Sequence, residues 1–532
     1  MGQGAGMPRD WHRGTEISLG IVPMNAFEGL AYGFSVALAP HNLLAAVAGA
    51  LIGTLVGVLP GIGPLGAMAL LLTATLSLRP ETAVIMLSGI YYGAMYGGST
   101  TSVLVNVPGE AASVVTTIDG YQMARRGRAG AALTVAAVGS FVAGTLGVVG
   151  LMLFAPALSQ LALTFGPPEY FAIALLGLVA LSRVSGGSVW RGLLVLAFGL
   201  ALATVGMDLL SAAPRYTFGV LELSQGVELV PVAMGLFGVA EVLSVAEQAG
   251  GLPQTAGVKL RELLPTRKEW DRALPAMLRA TGLGFLLGLI PGPANVLSTF
   301  VSYGLERRLS RNPGEFGRGA IEGVAGPESA NNAATSAQMV PLLALGLPFS
   351  ASTAVLLAAL MIQGVQPGPL LMKEHPDIFW GVVASMYIGN VALLVLNLPL
   401  VGMWVAVLRL PQPLLLSVIM VFILVGCYSL NNSLLDLLVV SGTGGLGYLL
   451  KKLKFDLAPL ILAVVLGPTI EKTFRQSLFM SSGDPAIFVQ RPISLAVLVI
   501  LLAILVVPAL LRPGRARGHA SVDARLPSGF DR

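Results

Sequence analysis

The chain has 532 residues, of which 55% are apolar and only 11% are charged, and its mean hydropathy is +0.80. A soluble domain carries about 25% charged residues, so this composition excludes a water-soluble globular protein and indicates one that lies largely in lipid. A net charge of +5 over this length does not indicate a nucleic-acid surface, and a single cysteine with four scattered histidines excludes an internal disulfide and a metal-ligand motif.

Long uncharged stretches predict an all-α polytopic membrane protein. A spanning helix needs about 20 residues, and several of the uncharged stretches are long enough for two spans. We predict about 10 to 14 membrane segments, with half-spans or surface helices among the candidates. The candidate segments are 41–58, 63–79, 83–105, 130–155, 168–184, 190–211, 228–247, 273–290, 293–306, 318–345, 350–372, 378–408, 412–430, 434–450, 456–470 and 492–511.

Polar sequence at the two ends and in one central loop predicts the domain boundaries. Residues 1–23 are a polar extension, and either Met1 or Met24 is the start of the protein. The central loop is rich in Lys and Arg, and the C-terminal tail is polar and expected to be disordered. The predicted parts are the extension 1–23, a first transmembrane repeat 24–250, a basic cytoplasmic loop 251–272, a second repeat with accessory spans 273–511, and the tail 512–532.

Four clusters of basic residues lie between or after the predicted spans. Because short cytoplasmic loops are rich in Lys and Arg, all four are expected on the cytoplasmic side. The second and third clusters flank the apolar segment 274–303, which must therefore leave and return on one side as a hairpin that turns at 291–293. The clusters are Arg125, Arg126 and Arg128; Lys259, Arg261, Arg267, Lys268 and Arg272; Arg307, Arg308, Arg311 and Arg318; and Arg512, Arg515 and Arg517.

Two parts of the chain interrupt apolar sequence with Gly and Pro at corresponding places. Such paired interruptions are typical of secondary transporters built from internal repeats, in which broken helices expose backbone groups to a solute. We therefore predict two pseudo-symmetric repeats with broken or re-entrant helices, and an odd number of crossings between them favours an inverted relation. The segments are 57–64, 96–102 and 106–110 in the first part, and 288–295, 325–332 and 346–350 in the second.

Residues 96–102 and their neighbours are the candidate substrate site of the first half. Two glycines permit close approach of the backbone to an anion, and the hydroxyl groups that follow can bind it. The alternative is close helix packing through small residues, which is common in membranes. The preceding Pro-Gly turn either shapes a half-helix end or simply joins two spans. The predicted substrate-binding residues are Pro60, Gly61, Gly97, Gly98, Ser99, Thr100, Thr101 and Asn106.

Residues 325–332 are the candidate site of the second half. Gly326-Pro327 is predicted to break the helix, and Glu328 precedes a long uncharged run, where an ionisable group is costly and usually functional. Asn and Ser oxygens suit a small cation. Alternatively, Glu328 caps a helix at the membrane surface and the asparagines bond neighbouring helices. The predicted substrate-binding residues are Gly292, Ser329, Asn331, Asn332, Pro348 and Ser350, and the predicted sodium site comprises Gly326, Glu328, Asn332 and Asn295.

These segments resemble the large transmembrane subunit of the bacterial tripartite tricarboxylate transporters. The resemblance extends over about 24–511, and its most specific part is 317–371; the other matching stretches are 53–66, 91–120, Asn390, 397–400 and Gly467-Pro468. It implies a multi-pass protein of the bacterial cytoplasmic (inner) membrane that works with a small four-helix membrane subunit and a periplasmic solute-binding protein. It also implies import of carboxylates such as citrate, driven by a sodium or proton gradient.

The residues and the resemblance together predict the permease subunit of a cation-coupled symporter for organic carboxylates. The sequence has no nucleotide-binding P-loop and no nearby His, Cys or paired-carboxylate constellation, so we predict no enzymatic activity and no cofactor beyond the coupling sodium or proton. The Asn-, Ser- and Thr-rich site favours sodium. The expected partners are the two other subunits, the carboxylate and membrane lipid. The alternatives are an intramembrane enzyme, with Glu328 acting on a lipid-linked substrate, and a channel for a small polar solute or a purely structural scaffold.

Overall fold

The computed structural model describes residues 25–59, 63–184, 189–208, 211–247, 264–407 and 411–510. Within these ranges the chain is helical apart from one antiparallel pair of short strands, β1 (Gly206–Met207) and β2 (Pro214–Arg215). The prediction of an all-α membrane fold is confirmed. The predicted extension 1–23, the tail 512–532 and most of the basic loop 251–272 lie outside the described residues.

The first half places its helices close to the predicted segments and adds two that the sequence did not suggest. The first unpredicted helix begins with a capping box between Asn25 and Glu28. The second lies directly after the turn at 106–113 and is too short and too polar to be recognised as a span. The helices are α1 (Ala26–Ala37), α2 (Pro40–Val58), α3 (Gly63–Thr75), α4 (Pro80–Val105), α5 (Val114–Arg125) and α6 (Ala129–Ala162).

The remaining helices also follow the predicted order. A six-residue π-helical stretch, Met234–Val239, joins two short helices into one apolar segment. They are α7 (Pro167–Val184), α8 (Val189–Ala203), α9 (Leu229–Ala233), α10 (Ala240–Glu247), α11 (Arg267–Gly288), α12 (Ala294–Leu309), α13 (Glu322–Leu345), α14 (Ala351–Ile362), α15 (Leu371–Glu374), α16 (Pro376–Asn397), α17 (Val401–Val407), α18 (Gln412–Asn431), α19 (Leu434–Lys452), α20 (Ala458–Met480), α21 (Ile487–Gln490) and α22 (Pro492–Leu510).

Five helical segments in the described ranges are long and apolar enough to cross a membrane. They are α2, α6, the continuous segment Leu229–Glu247, α16 and α19. Shorter apolar helices lie within α3, α7, α8, α14, α18 and α22. This mixture of long and short apolar helices is the pattern expected where half-spans accompany full spans.

Glycine contacts bring α2 against α4 and α11 against α13. A Cβ atom at Gly53 would lie 2.5 Å from the carbonyl oxygen of Ile90, and one at Gly284 would lie 2.3 Å from the carbonyl oxygen of Ala330. Gly57 meets Ala94 in the same way. Small residues permit this close approach of helix backbones in membranes. The two hairpins, α2–α3 and α11–α12, therefore each pack their first helix against the long helix that follows.

The long helices α4 and α13 are antiparallel. Tyr91 contacts Gln338, whereas Ser99, further along α4, contacts Glu328, which lies earlier in α13. After each helix comes the same local order of a left-handed residue, a proline and a capping residue: Asn106, Pro108 and Glu110 follow α4, and Gly346, Pro348 and Ser350 follow α13. These features support an inverted repeat, which stays a prediction.

Two of the six predicted interruptions, at 96–102 and 325–332, are wrong. Helix α4 continues through 96–102, and α13 continues through Gly326-Pro327 with Pro327 and Pro341 inside it. A proline inside a helix removes one backbone hydrogen bond, and packed neighbouring helices let a membrane helix tolerate this. Helix α13 is buried along its whole length. The predicted interruptions at 106–110, 288–295 and 346–350 do coincide with turns, at 106–113, 289–293 and 346–350, and the one at 57–64 lies partly outside the described residues.

Ion pairs bring Arg128 of the first basic cluster and Arg272 of the second to one end of the helices, beside the segment that carries the third. Arg128 pairs with Glu269, and Arg272 lies 2.7 Å from Glu322. Helices α11 and α12 start and finish at this end, as predicted for a hairpin that turns at 291–293. The fourth cluster, 512–517, lies outside the described residues.

Candidate functional site

The carboxylate of Glu328 lies where the two halves of the chain meet. It accepts a hydrogen bond of 2.5 Å from the Ser99 hydroxyl of α4 and another from the Thr116 hydroxyl of α5. Only 1% of the surface of Glu328 is exposed. We call Ser99, Thr116 and Glu328 the Glu328 network. None of the hydrogen bonds or ion pairs in the described ranges gives this carboxylate a Lys, Arg or His partner.

A second carboxylate crosses between the halves nearby. Glu110, in the turn after α4, accepts a 2.8 Å hydrogen bond from the side-chain amide of Asn331 in α13. It also caps the 3₁₀ turn Ala111–Ser113 through Ser113. Asn331 lies three residues after Glu328 in α13, so both carboxyl groups lie beside the same part of this helix. The site therefore holds two acidic groups whose partners in the described chain are hydroxyls and amides.

A chain of amides extends from this site toward the tip of the α11–α12 hairpin. The Asn295 amide, in the first turn of α12, donates to Asn331 Oδ1 at 2.9 Å and to Thr335 Oγ1 at 2.6 Å. The side-chain amide of Gln338 donates a 2.7 Å hydrogen bond to Asn295 Oδ1, and its oxygen accepts one of 2.8 Å from the Tyr91 hydroxyl. Every link joins side chains from different helices, so the hairpin tip is tied to both long helices.

Asn332 lies on another side of α13. Its amide donates to Ser140 Oγ of α6 at 2.7 Å and to the backbone carbonyl of Glu328 at 3.1 Å. Gly326 contacts Ser302 and Glu306 of α12. The four residues of the predicted sodium site therefore do not point at one centre. Asn295 belongs to the amide chain, Glu328 to its own network, and Asn332 and Gly326 to helix contacts.

The small residues of α4 serve helix packing as well as the site. The space beside Gly97 is filled by the carbonyl of Thr54, and the space beside Gly98 by the side chain of Glu110. Thr101 donates to the carbonyl of Gly98. Thr100 is buried beside Ser99, and Asn106 is exposed at the end of the helix. Of the hydroxyl run, Ser99 makes the direct contact with the other half.

The turn residues of the second half form a compact support. The amide of Gly292 donates to the carbonyl of Phe349 at 3.0 Å, which joins the hairpin tip to the turn after α13. Pro348 is buried in that turn, and Ser350 caps α14 through Thr353. Ser329 faces Gly139 of α6. Pro60 and Gly61 lie outside the described residues.

Sequence reasoning missed several members of the site. Thr116 lies on an unpredicted helix, and Glu110, at the end of the predicted segment 106–110, was not among the predicted substrate-binding residues. Tyr91 and Gln338 are single polar residues in apolar helices, for which the sequence shows no pairing partner. Asp119 was also missed: this buried carboxylate accepts hydrogen bonds of 2.7 and 2.9 Å from the amides of Gly319 and Ala320. The one available signal was the rarity of acidic residues inside membrane segments.

The arrangement suits transient binding of a polar solute and a small cation. The described residues contain no group of three or more His, Cys, Asp or Glu side chains able to hold a metal ion. Amide and hydroxyl groups can bind a carboxylate, and carboxylate and carbonyl oxygens can bind a small cation. Both kinds of group are present at the junction of the two halves.

Comparison with known proteins adds an independent finding. Residues 43–462 match the sequence model of the tripartite tricarboxylate transporter TctA family. An uncharacterized 52.8 kDa protein in the TAR-I ttuC' 3' region of Agrobacterium vitis is 46% identical over 488 residues, covering 92% of this chain and 97% of the relative. An uncharacterized protein in the TAR-II ttuC' 3' region of the same organism is 47% identical over 215 residues, covering 40% of this chain and 89% of the relative. No solved structure matches the chain.

Proposed function

The chain belongs to the tripartite tricarboxylate transporter TctA family, and from this premise we propose that it imports an organic carboxylate across the bacterial inner membrane by symport with sodium or protons. The TctA family is one of transporters and not of enzymes, which agrees with the prediction of no enzymatic activity and removes the intramembrane-enzyme alternative. The chain is a multi-pass membrane protein. Tricarboxylates or related carboxylates are the proposed substrates.

The observation that carries the coupling proposal is the charge of the site. Glu110 and Glu328 are two acidic groups that share the junction of the halves and have hydroxyl and amide partners. An anionic substrate brought to this junction adds like charge in a medium of low dielectric constant, which is unfavourable. A co-transported cation or proton offsets that charge. Binding of substrate and cation would therefore be mutually dependent, which is the basis of symport.

The substrate carboxylates are proposed to bind between α4 and α13. Helix N-termini attract anions because their first amides lack partners within the helix. Helix α12 begins at the site with Asn295 in its first turn, and α14 begins beside Ser350. Together with Ser99, Thr100, Thr101 and the other predicted residues, these ends provide donors from both halves.

The proposed partners are a small four-helix membrane subunit and a periplasmic solute-binding protein that delivers the carboxylate. Family membership supports this assembly. Alternating access would then move the part that bears the hairpin tips relative to the rest of the protein, as in carriers with inverted repeats.

Membrane vesicles that contain the chain and both proposed partners test the function. Radiolabelled citrate uptake is measured with a sodium gradient, with a proton gradient, and with both removed by an ionophore and a protonophore. We expect saturable uptake that stops when both gradients are absent. Unchanged uptake without either gradient contradicts symport, and flux that rises linearly with citrate concentration favours the channel alternative.

Glu328→Gln provides the matched variant for this test. The substitution keeps the shape of the side chain and removes its charge, so the protein should remain folded, because a buried charge is itself costly. We expect uptake to fall at least ~100-fold, because a carboxylate about 4 Å from a cation contributes roughly 4 kcal/mol at an effective dielectric constant of about 20, and the neutral amide loses this attraction. Full uptake by this variant would exclude Glu328 from the coupling step.

A further inference from the structure

A small cavity lies between α4, α6 and α16, next to the Glu328 network. Its volume is about 10 Å³, close to the minimum that holds one water-sized particle. Ser99 belongs both to this cavity and to the Glu328 network. The polar residues of the lining are Tyr96, Ser99, Thr100, Ser140 and Asn397.

One polar atom of the lining lacks a hydrogen bond. The side-chain amide of Asn397 donates to the carbonyl of Leu393 at 2.9 Å, and this bond fixes which end of the side chain is the nitrogen. The other end, Oδ1, has no hydrogen-bond partner although the residue is only 4% exposed. A buried acceptor without a partner is unfavourable, so a particle in the cavity that approaches this oxygen would be stabilised.

The charge around the cavity favours a cation. Asn397 is the last residue of α16, and the C-terminal end of a helix carries partial negative charge and carbonyl groups without helical partners. Ser99 connects the cavity to the carboxylate of Glu328 at 2.5 Å. Each polar lining side chain has an oxygen, and hard oxygen ligands suit small hard cations.

We propose that the cavity is a binding site for one Na⁺ ion, with Asn397 Oδ1 and the Ser140 and Thr100 hydroxyls among its ligands. The volume admits a dehydrated small ion and excludes the carboxylate substrate. This inference rests on the proposed function, because it makes sodium the coupling ion. It differs from the predicted set of Gly326, Glu328, Asn332 and Asn295, which lie in separate contacts and do not converge.

Sodium binding can be measured without transport, on the purified full-length chain in detergent. Its melting temperature is recorded as NaCl replaces choline chloride at constant total salt. We expect a saturable rise for the wild type, and variants Asn397→Leu and Ser140→Ala should need at least ~10-fold more sodium for the same rise, as is usual when a metal ligand's support is lost. Ser385→Ala is the matched control, because its hydroxyl is buried on α16, donates to the carbonyl of Val382 in the same helix and does not line the cavity.

Each outcome decides the inference. If sodium and choline give equal melting temperatures, or if Asn397→Leu and Ser140→Ala respond like the wild type, the cavity holds water and the proposal is wrong. If Asn397→Leu does not fold, Asn397→Asp serves instead, and its added charge should lower the sodium concentration needed; an unchanged concentration contradicts the site. Normal sodium stabilisation without any citrate uptake would overturn the proposed transport function alone, and citrate uptake without sodium stabilisation would overturn this site alone.

Discussion

The hydrogen bond from Ser99 to Glu328 gives a direct test of the junction between the two halves. Ser99→Ala removes a 2.5 Å bond to a carboxylate that is 1% exposed. A hydrogen bond to a charged group contributes about 1.5–3 kcal/mol, and each ~1.4 kcal/mol corresponds to a factor of ten in affinity. If the ionised carboxylate is required for cation binding, Ser99→Ala should weaken that binding by ~10–100-fold.

The assay is initial citrate uptake into vesicles as a function of the concentration of the coupling cation. Ser102→Ala is the matched control on the same helix, since the Ser102 hydroxyl is fully buried and donates only to the backbone carbonyls of Gly98 and Ser113. Such neutral bonds contribute about 0.5–1.5 kcal/mol and affect folding. Ser102→Ala should therefore lower the melting temperature and leave the half-saturating cation concentration within about threefold of the wild type.

Thr116→Val extends this test to the second donor. Both hydroxyls contact the same carboxylate, so the Ser99→Ala and Thr116→Val effects should not be additive, with an interaction of about 0.5–3 kcal/mol in the double variant. Equal effects of Ser99→Ala and Ser102→Ala on cation dependence would refute the reasoning. In that case the Glu328 network is a packing contact and takes no part in coupling.

Three further predictions concern packing, charge and the second half of the site. Gly284→Ala should destabilise the protein by about 1–3 kcal/mol or more, because the added Cβ atom would lie 2.3 Å from the backbone carbonyl oxygen of Ala330. Gly282→Ala on the same helix is the control: its Cβ atom would have no neighbour within 4 Å, so the melting temperature should not fall. Arg279→Met should lower the free energy of unfolding by about 2–3 kcal/mol, because it leaves the carboxylate of Glu306 buried and unpaired. The loss is smaller than for a fully buried pair, since Arg279 is partly exposed. Adding Glu306→Gln should recover part of this loss in thermal unfolding. Asn332→Ala removes the amide that bonds Ser140 and the carbonyl of Glu328; it should abolish citrate uptake while the protein stays inserted and folded, and full uptake would remove Asn332 from the predicted substrate-binding residues.

Much of the architecture follows from local sequence properties. Length and hydropathy placed the helical segments close to where the structure has them, because a helix that enters lipid must be long, apolar and satisfied within its own backbone. The basic clusters around 274–303 predicted the α11–α12 hairpin and its turn at 291–293. The polar runs in both halves, including Ser99 and Glu328, were also visible because such residues are rare at membrane depth.

The tertiary structure decided which polar residues meet and where the helices end. The sequence predicted breaks at 96–102 and 326–327, but neighbouring helices satisfy and bury these segments, so α4 and α13 continue. Thr116 and Glu110 join the site only because the turn after α4 folds back against α13. The sequence does not show that Asn397 Oδ1 lacks a hydrogen-bond partner or that Asn397 lines a cavity; both depend on the packing of α16 against α4 and α6. Hydropathy is a property of each segment alone, whereas these contacts depend on pairs of residues far apart in the chain, and a single sequence carries no direct record of such pairs.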